Sequence, residues 1–135
     1  MARAALGTLG GSRAKTPDQE TVRQFELRWA DLPRPAGRRP VLLLSRTPAF
    51  EYLSKVLIVE ITTHVRGIPQ EVPFGKREGL PRACVANLDT LRSIDRSLIG
   101  DRLGVLAPSR HPEVKRALGY ALGWAELKIV GGDSQ

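Results

Sequence analysis

The chain has 135 residues, a length that supports one hydrophobic core but not two full domains. Its 21 Lys and Arg against 14 Asp and Glu give a formal charge of +7, and 41% of the residues are hydrophobic. This composition argues against a wholly disordered chain and favours a polyanionic partner such as a nucleic acid. Cys84 is the single cysteine, which excludes an internal disulfide, and the longest apolar runs are too short to span a membrane. We therefore expect a cytoplasmic protein with no membrane association.

The two ends of the chain differ in composition from its middle. Residues 1–22 are rich in Gly, Ala, Ser, Thr and charge without a sustained period, which predicts a flexible N-terminal extension. Residues 129–135 finish in a glycine pair followed by polar residues, which predicts a frayed tail. The folded domain is expected to span residues 23–128.

Strand patterns dominate the first two thirds of this domain. Apolar and polar residues alternate over 25–29, which is typical of a half-buried strand. Two prolines and a glycine predict a loop over 33–39, and apolar runs predict strands over 40–45 and 55–63. Shorter strands are predicted over 71–74, 83–87, 90–94 and 102–106.

One convincing helix follows Pro108. Pro112 suits a first helical turn, and an apolar stripe follows at helical spacing: Val114, Ala117, Leu118, Ala121 and Leu122. One short extra turn is predicted over 95–98. Many short strands followed by a terminal helix predict a mainly β fold with a C-terminal helix, an SH3-like small β-barrel with the helix packed on it.

A search for chemical motifs leaves few candidates. His64 and His111 are far apart and lack neighbouring cysteines, so no metal site is predicted, and neither a phosphate loop nor a dinucleotide fingerprint is present. Cys84 lies in a strand pattern of the buried type, which favours an inert thiol.

A basic loop is the strongest local signal. Four arginines fall within thirteen residues that contain no acid: Arg34, Arg38, Arg39 and Arg46. Guanidinium groups match phosphate oxygens, although a charged loop can also serve solubility alone. Arg39 directly precedes Pro40 at the start of the predicted strand, which holds a side chain more firmly than a loop tip does.

The strand over 55–63 ends in polar residues. Strand alternation places Val56, Ile58, Glu60, Thr62 and His64 on one face. A Thr62 hydroxyl beside the Arg39 guanidinium would hold a phosphate. The other interpretation is that Thr62 only reflects β propensity, and both interpretations stay open on the local pattern.

Five segments in order carry a resemblance to a known family. They are Trp29-Ala30-Asp31-Leu32, the run from Gly37 to Ser45, Val59-Glu60-Ile61-Thr62-Thr63, the run from Gly79 to Val85, and Leu91-Arg92-Ser93-Ile94-Asp95. Over residues 24–122 the chain resembles the MazF/PemK family of toxin endoribonucleases.

The resemblance implies a small MazF/CcdB-like barrel, a homodimer, and cofactor-free, metal-independent cleavage of single-stranded RNA through the ribose 2′-OH. It also implies an antitoxin whose acidic, disordered tail covers the RNA groove. The family's catalytic arginine and threonine fall on Arg39 and Thr62. Further expected RNA-binding residues are Arg46, Asp89 and Thr90 from the resemblance, with Arg38 from the basic loop and His64 from the strand face.

Three positions depart from the family pattern. Phe25-Glu26 stands where the family begins with Gly-Asp or Gly-Glu, and Cys84 replaces a usual serine. Glu60 stands where the family prefers a small apolar residue. Glu60 is a candidate general base beside Thr62, or it would repel phosphate, and a salt-bridged or solvent-facing Glu60 is the other interpretation. His64, on the same face, is a rival base, although such a residue can also simply begin a loop.

Other functions remain open at this point. A decayed toxin or a non-enzymatic barrel would bind RNA, an antitoxin or a protein target such as gyrase. Gyrase-poisoning relatives depend on a tryptophan near the chain end, and Trp124, with eleven residues after it, matches that position poorly.

Overall fold

The computed structural model describes residues 22–131 of the chain, and six antiparallel strands build this part of the protein. The strands are β1 (Glu26–Asp31), β2 (Arg38–Leu43), β3 (Lys55–Thr62), β4 (Glu71–Phe74), β5 (Cys84–Asp95) and β6 (Ile99–Val105). They lie in the order β4-β5-β3-β2-β1-β6 in one sheet. Apart from Val22, the expected N-terminal extension lies outside the described residues, as do residues 132–135 of the expected tail.

The helical elements are α1 (Ala49–Tyr52), α2 (His111–Leu122) and α3 (Ala125–Lys128), with 3-10 turns at Lys76–Glu78, Arg96–Leu98 and Pro108–Arg110. The predicted C-terminal helix is confirmed, with Pro112 in its first turn. Four-residue helices such as α1 and α3 are too short to show a helical period, so the sequence did not predict them. Within the described range no helix has the length and hydrophobicity needed to cross a membrane.

Apolar side chains pack on both sides of the sheet. On one side, Leu27, Leu42 and Val59 pack with Val114 and Ala117 of α2; this side is called the helix side below. On the other side a second cluster contains Val41, Leu43, Val56, Ile58 and Ile94, closed by Phe50 of α1. Alternate residues of β3 therefore serve two cores, and the face that carries Val56 and Ile58 also carries Glu60 and Thr62.

The separate strands predicted over 83–87 and 90–94 are wrong, because β5 runs from Cys84 to Asp95 without a break. Its pairing with β3 shifts register: Ile58 lies opposite Arg92, whereas Glu60 lies opposite Asn87. The extra residues of β5 form a bulge. A bulge interrupts the alternation of buried and exposed residues, so one strand has the sequence pattern of two.

The edge strand β6 approaches the 3-10 turn that follows β4, the other edge strand, at two glycines. A Cβ on Gly104 of β6 would collide with the backbone carbonyl of Glu78, and one on Gly79 would collide with that of Leu103. Backbone-to-backbone contact of this kind requires glycine on both segments. The hydrogen-bonded ladder of the described residues is open, but this contact gives the sheet its barrel-like form. The mainly β fold with a C-terminal helix is thus confirmed.

Candidate active site

Arg39 is held by β2 rather than by the loop before it. The predicted loop over 33–39 is wrong at its last two residues, since Arg38 and Arg39 pair with Asp31 and Ala30 of β1. Gly37 turns the chain with a φ of 67°, which allows pairing to begin directly after it. The Arg39 side chain is 31% exposed, and its Nε donates to the Ala36 carbonyl at 3.3 Å.

Glu60 lies between two guanidinium groups. Its Oε1 is 3.3 Å from Nη1 of Arg39, and its Oε2 is 3.4 Å from Nη1 of Arg92. The Glu60 side chain is only 16% exposed. Its backbone N–H donates to Oγ1 of Thr90 at 2.8 Å, which anchors this part of β3 to the β5 bulge. The salt-bridged interpretation of Glu60 therefore describes its environment in the free protein.

Arg92 is the site residue that sequence reasoning missed. It lies in the segment 91–95 that carries the family resemblance, two residues before buried Ile94. Strand alternation therefore places both side chains on the same face of β5. That alternation is the signal that would have found it. The register shift then decides its partner, because it carries the Arg92 side chain toward Glu60 on the neighbouring strand.

These side chains line an open cleft of about 400 Å³. Its walls are formed by the loop before β2 and by residues of β2, β3 and β5: Pro33, Arg34, Pro35, Ala36, Arg39, Glu60 and Arg92. Three guanidiniums against one carboxylate leave the lining with an excess of positive charge. A concave site of this charge suits an anionic ligand.

Thr62 lies on the same strand face as Glu60, two residues further along β3. Val41 of β2 lies opposite Glu60 of the antiparallel β3. Two residues before Val41 is Arg39, and two residues after Glu60 is Thr62. The Thr62 hydroxyl oxygen accepts from the backbone N–H of His64 at 3.1 Å, which leaves its proton available for donation. Arg39 and Thr62 thus lie at matching ends of neighbouring strands.

Two of the expected RNA-binding arginines lie away from this cleft. Arg38 follows the opposite face of β2, where its guanidinium stacks 4.7 Å from the Trp29 ring centroid and lies 3.5 Å from Asp31. Arg46 is exposed and lies after the last residue of β2, whereas Arg39 lies at the start of that strand. Neither joins Arg39 in one pocket.

The remaining candidates are not among the residues that line the cleft, and their environments differ. Thr90 uses its hydroxyl within the protein, donating to the Asn87 carbonyl at 2.6 Å while it accepts from Glu60. Asp89 is exposed, with its backbone N–H bound to the Asn87 side chain at 2.9 Å. His64 is exposed just after β3. Among residues 22–131, no three His, Cys, Asp or Glu side chains form a group suited to a metal ion.

Comparison with known proteins identifies the relationship. The family model for PemK-like, MazF-like toxins of type II toxin–antitoxin systems matches residues 23–122. The chain belongs to this toxin family. Probable endoribonuclease MazF5 of Mycobacterium tuberculosis is 35% identical over 98 residues, which cover 72% of this chain and 89% of that protein.

Solved structures of similar proteins share the fold of this family member. The M. tuberculosis toxin MazF-mt6 superposes with a TM-score of 0.68 at 33% identity, covering 73% of this chain and 96% of that one. An endoribonuclease in complex with its cognate antitoxin, from a mycobacterial species, superposes with a TM-score of 0.67 at 28% identity. The match covers 76% of this chain and 96% of that one.

Two other departures of this MazF/PemK chain have clear structural settings. Phe25 adopts a φ of 70°, a conformation that glycine adopts without steric cost. Cys84 is buried, and burial together with the nearby Glu78 charge raises the pKa of its thiol. A thiol held in its protonated form is a poor nucleophile, in agreement with the interpretation of Cys84 as an inert residue.

Proposed function

We propose that this chain is a sequence-specific endoribonuclease toxin that cleaves single-stranded RNA. The observation that carries the proposal is the Arg39 guanidinium, held at the wall of a basic cleft, with Thr62 at the matching end of the next strand. Family membership and relatives named endoribonucleases support the same activity. An open cleft lined by a loop and by residues of three strands suits a flexible single strand whose bases can be splayed out.

The proposed reaction uses RNA's own nucleophile and no cofactor. The ribose 2′-oxygen forms a bond to the adjacent phosphorus as its proton leaves, and the bond from phosphorus to the 5′-oxygen breaks. The products are a 2′,3′-cyclic phosphate and a 5′-hydroxyl. Negative charge accumulates on the phosphorane oxygens, where the Arg39 guanidinium stabilises it and the Thr62 hydroxyl donates a hydrogen bond.

Arg39 does not serve as the base, because a guanidinium remains protonated at neutral pH. Glu60 and His64 are the candidate bases, and their settings differ. Glu60 would have to release one of its two guanidinium partners before it could accept a proton. His64 is exposed and two residues from Thr62, so it is free to approach a bound ribose.

The test is incubation of the purified protein with a long single-stranded RNA in EDTA. We expect discrete fragments that carry 5′-hydroxyl and cyclic phosphate ends. Arg39→Ala should slow cleavage by ~10²–10³-fold, the usual cost of losing one donor to a developing charge. Lys115→Ala, which removes a positive charge from the exposed surface of α2, is the control. Intact RNA with the unaltered chain would contradict the proposal.

The proposal also covers the oligomeric state, the protein partner and the cellular location. The chain acts as a homodimer in the cytoplasm and is neutralised by an antitoxin with an acidic, disordered tail. A net charge of +7 and a cleft with three arginines complement such a tail. One similar structure contains a cognate antitoxin. Size-exclusion chromatography with light scattering measures the dimer, and restored growth on co-expression of a candidate antitoxin with an acidic tail measures neutralisation.

A further inference from the structure

The two ion pairs of Glu60 have loose geometry. Charge-assisted hydrogen bonds between guanidinium and carboxylate groups are best at about 2.7–2.9 Å. The Glu60 oxygens lie 3.3 Å and 3.4 Å from Arg39 and Arg92, whose side chains are 31% and 38% exposed. Ion pairs as exposed as these contribute little to folding stability. The arrangement therefore calls for an explanation other than stability.

Both guanidiniums converge on a single anionic group. Each contributes one nitrogen to one of two oxygens of the Glu60 carboxylate. The non-bridging oxygens of a phosphodiester are spaced much like carboxylate oxygens, which is why guanidiniums bind both groups in the same way. Glu60 thus holds the two arginines at a separation that also fits a phosphate.

We propose that Arg39 and Arg92 form a binding site for one backbone phosphate of RNA, and that Glu60 occupies this site until RNA displaces it. The proposal rests on the proposed function and adds to it a second phosphate-binding residue and an internal competitor. Among the described residues that line the cleft, Glu60 is the only acid, and Arg34 adds a third guanidinium to the lining.

Displacement of Glu60 is compatible with its anchoring. The backbone of Glu60 is fixed by strand pairing with Val41 and by the bond to Thr90. Its side chain borders the open cleft, so rotation about the side-chain bonds moves the carboxylate away without disturbing β3. A carboxylate that stays nearby still opposes the incoming phosphate charge. Glu60 is therefore expected to weaken RNA binding.

The experiment measures binding separately from cleavage. A fluorescent single-stranded oligonucleotide of mixed sequence, with 2′-O-methyl riboses, retains the phosphates but lacks the nucleophile. Anisotropy titrations between about 50 and about 200 mM salt give the affinity and its salt dependence. Glu60→Gln should bind about three- to tenfold more tightly. Arg92→Ala should bind more weakly, with a salt slope smaller by about 0.7, the value for one lost phosphate contact on a single strand.

Matched controls remove the same charges elsewhere. Glu126→Gln on α3 and Lys115→Ala on α2 alter exposed residues on the helix side of the sheet, and both should change affinity less than twofold. Thermal unfolding of each variant checks the fold. Arg92→Lys keeps the charge and should retain the salt slope while losing part of the affinity, because an ammonium cannot reproduce the guanidinium geometry.

Two results would overturn the inference. One is a Glu60→Gln variant whose oligonucleotide affinity is unchanged or lower. If that variant also loses cleavage, Glu60 acts as a general base and not as a competitor of RNA. The other is an Arg92→Ala variant with an unaltered salt slope. Either result with normal RNA cleavage leaves the proposed function standing. Conversely, the expected binding changes in a chain that leaves RNA intact would refute only the proposed function.

Discussion

The Phe25 ring lies nearly parallel to the His111 imidazole, with 3.6 Å between the ring centroids and 16° between their planes. This contact joins the residue before β1 to the first residue of α2. Phe25 adopts a φ of 70° there, and hydrogen bonds of its backbone to Leu43 and Leu106 hold it in place. A bulky residue thus occupies a conformation that suits glycine, and the stacked ring offsets part of the cost.

Substitution of Phe25 separates these two effects. Phe25→Ala loses the stacking and retains the positive φ, whereas Phe25→Gly loses the stacking and removes the backbone strain. We expect Phe25→Gly to have the higher free energy of unfolding, by about 1 kcal/mol. Urea denaturation measures the difference. Equal or greater stability of Phe25→Ala would show that this backbone conformation carries no strain.

Gly104 should be essential for closing the barrel-like sheet. A Cβ at this position would collide with the Glu78 carbonyl in the 3-10 turn that follows β4, and backbone atoms cannot move aside as a flexible side chain can. We expect Gly104→Ala to lower the free energy of unfolding by about 2–3 kcal/mol.

Gly100 of the same strand is the matched control. A Cβ there meets its nearest neighbour, the Trp29 carbonyl, at an ordinary 3.5 Å. We expect Gly100→Ala to change stability by less than about 0.5 kcal/mol or to stabilise the chain slightly. Chemical denaturation compares the two, and an equal loss in both variants would contradict the steric argument.

The Thr90 hydroxyl should matter through the two hydrogen bonds that support Glu60 and the β5 bulge. Thr90→Val has nearly the same shape but loses both bonds, at a cost of about 1–2 kcal/mol in unfolding free energy. RNA cleavage should fall as well, since the bulge of β5 loses its anchor on β3 and Arg92 loses its fixed position relative to Arg39. Thr90→Ser keeps the hydroxyl and should behave like the unaltered chain. Failure of serine to rescue would instead favour a direct RNA contact of the threonine methyl group.

An ion pair between Arg110, just before α2, and Glu113 in its first turn should give the protein a specific acid sensitivity. Hydrogen bonds from Arg110 hold the pKa of Glu113 below its ordinary value, and the same Arg110 reaches Glu78 at 3.0 Å. A carboxyl with a lowered pKa stabilises the fold above its unfolded-state pKa, and this contribution disappears as the pH falls through the folded-state pKa.

Glu113→Gln should therefore be less stable than the unaltered chain at neutral pH, by no more than about 1 kcal/mol because the pair is partly exposed. The difference should vanish in acid, once Glu113 is protonated in both states. Thermal unfolding across the acidic range measures it. A difference that stays constant with pH would mean that the charge of Glu113 does not contribute.

The sequence by itself determined the family, the mainly β fold and the helix after Pro108. These follow from local patterns, namely strand alternation, an apolar stripe at helical spacing, and motifs in order along the chain. It also placed Arg39 and Thr62 at the ends of two strands, since Pro40 and the β-branched run of β3 mark those ends.

Tertiary structure alone decided what surrounds those two residues. Arg92 reaches Glu60 from 32 residues away because the β5 bulge shifts the pairing, and no local pattern encodes a register between distant strands. Arg38 and Arg39 are adjacent in sequence but follow opposite faces, so that only Arg39 lines the cleft. Long-range strand pairing thus brings Arg39 and Arg92 to one carboxylate. The two-residue period of a strand decides that Arg39, and not its neighbour Arg38, lines the cleft.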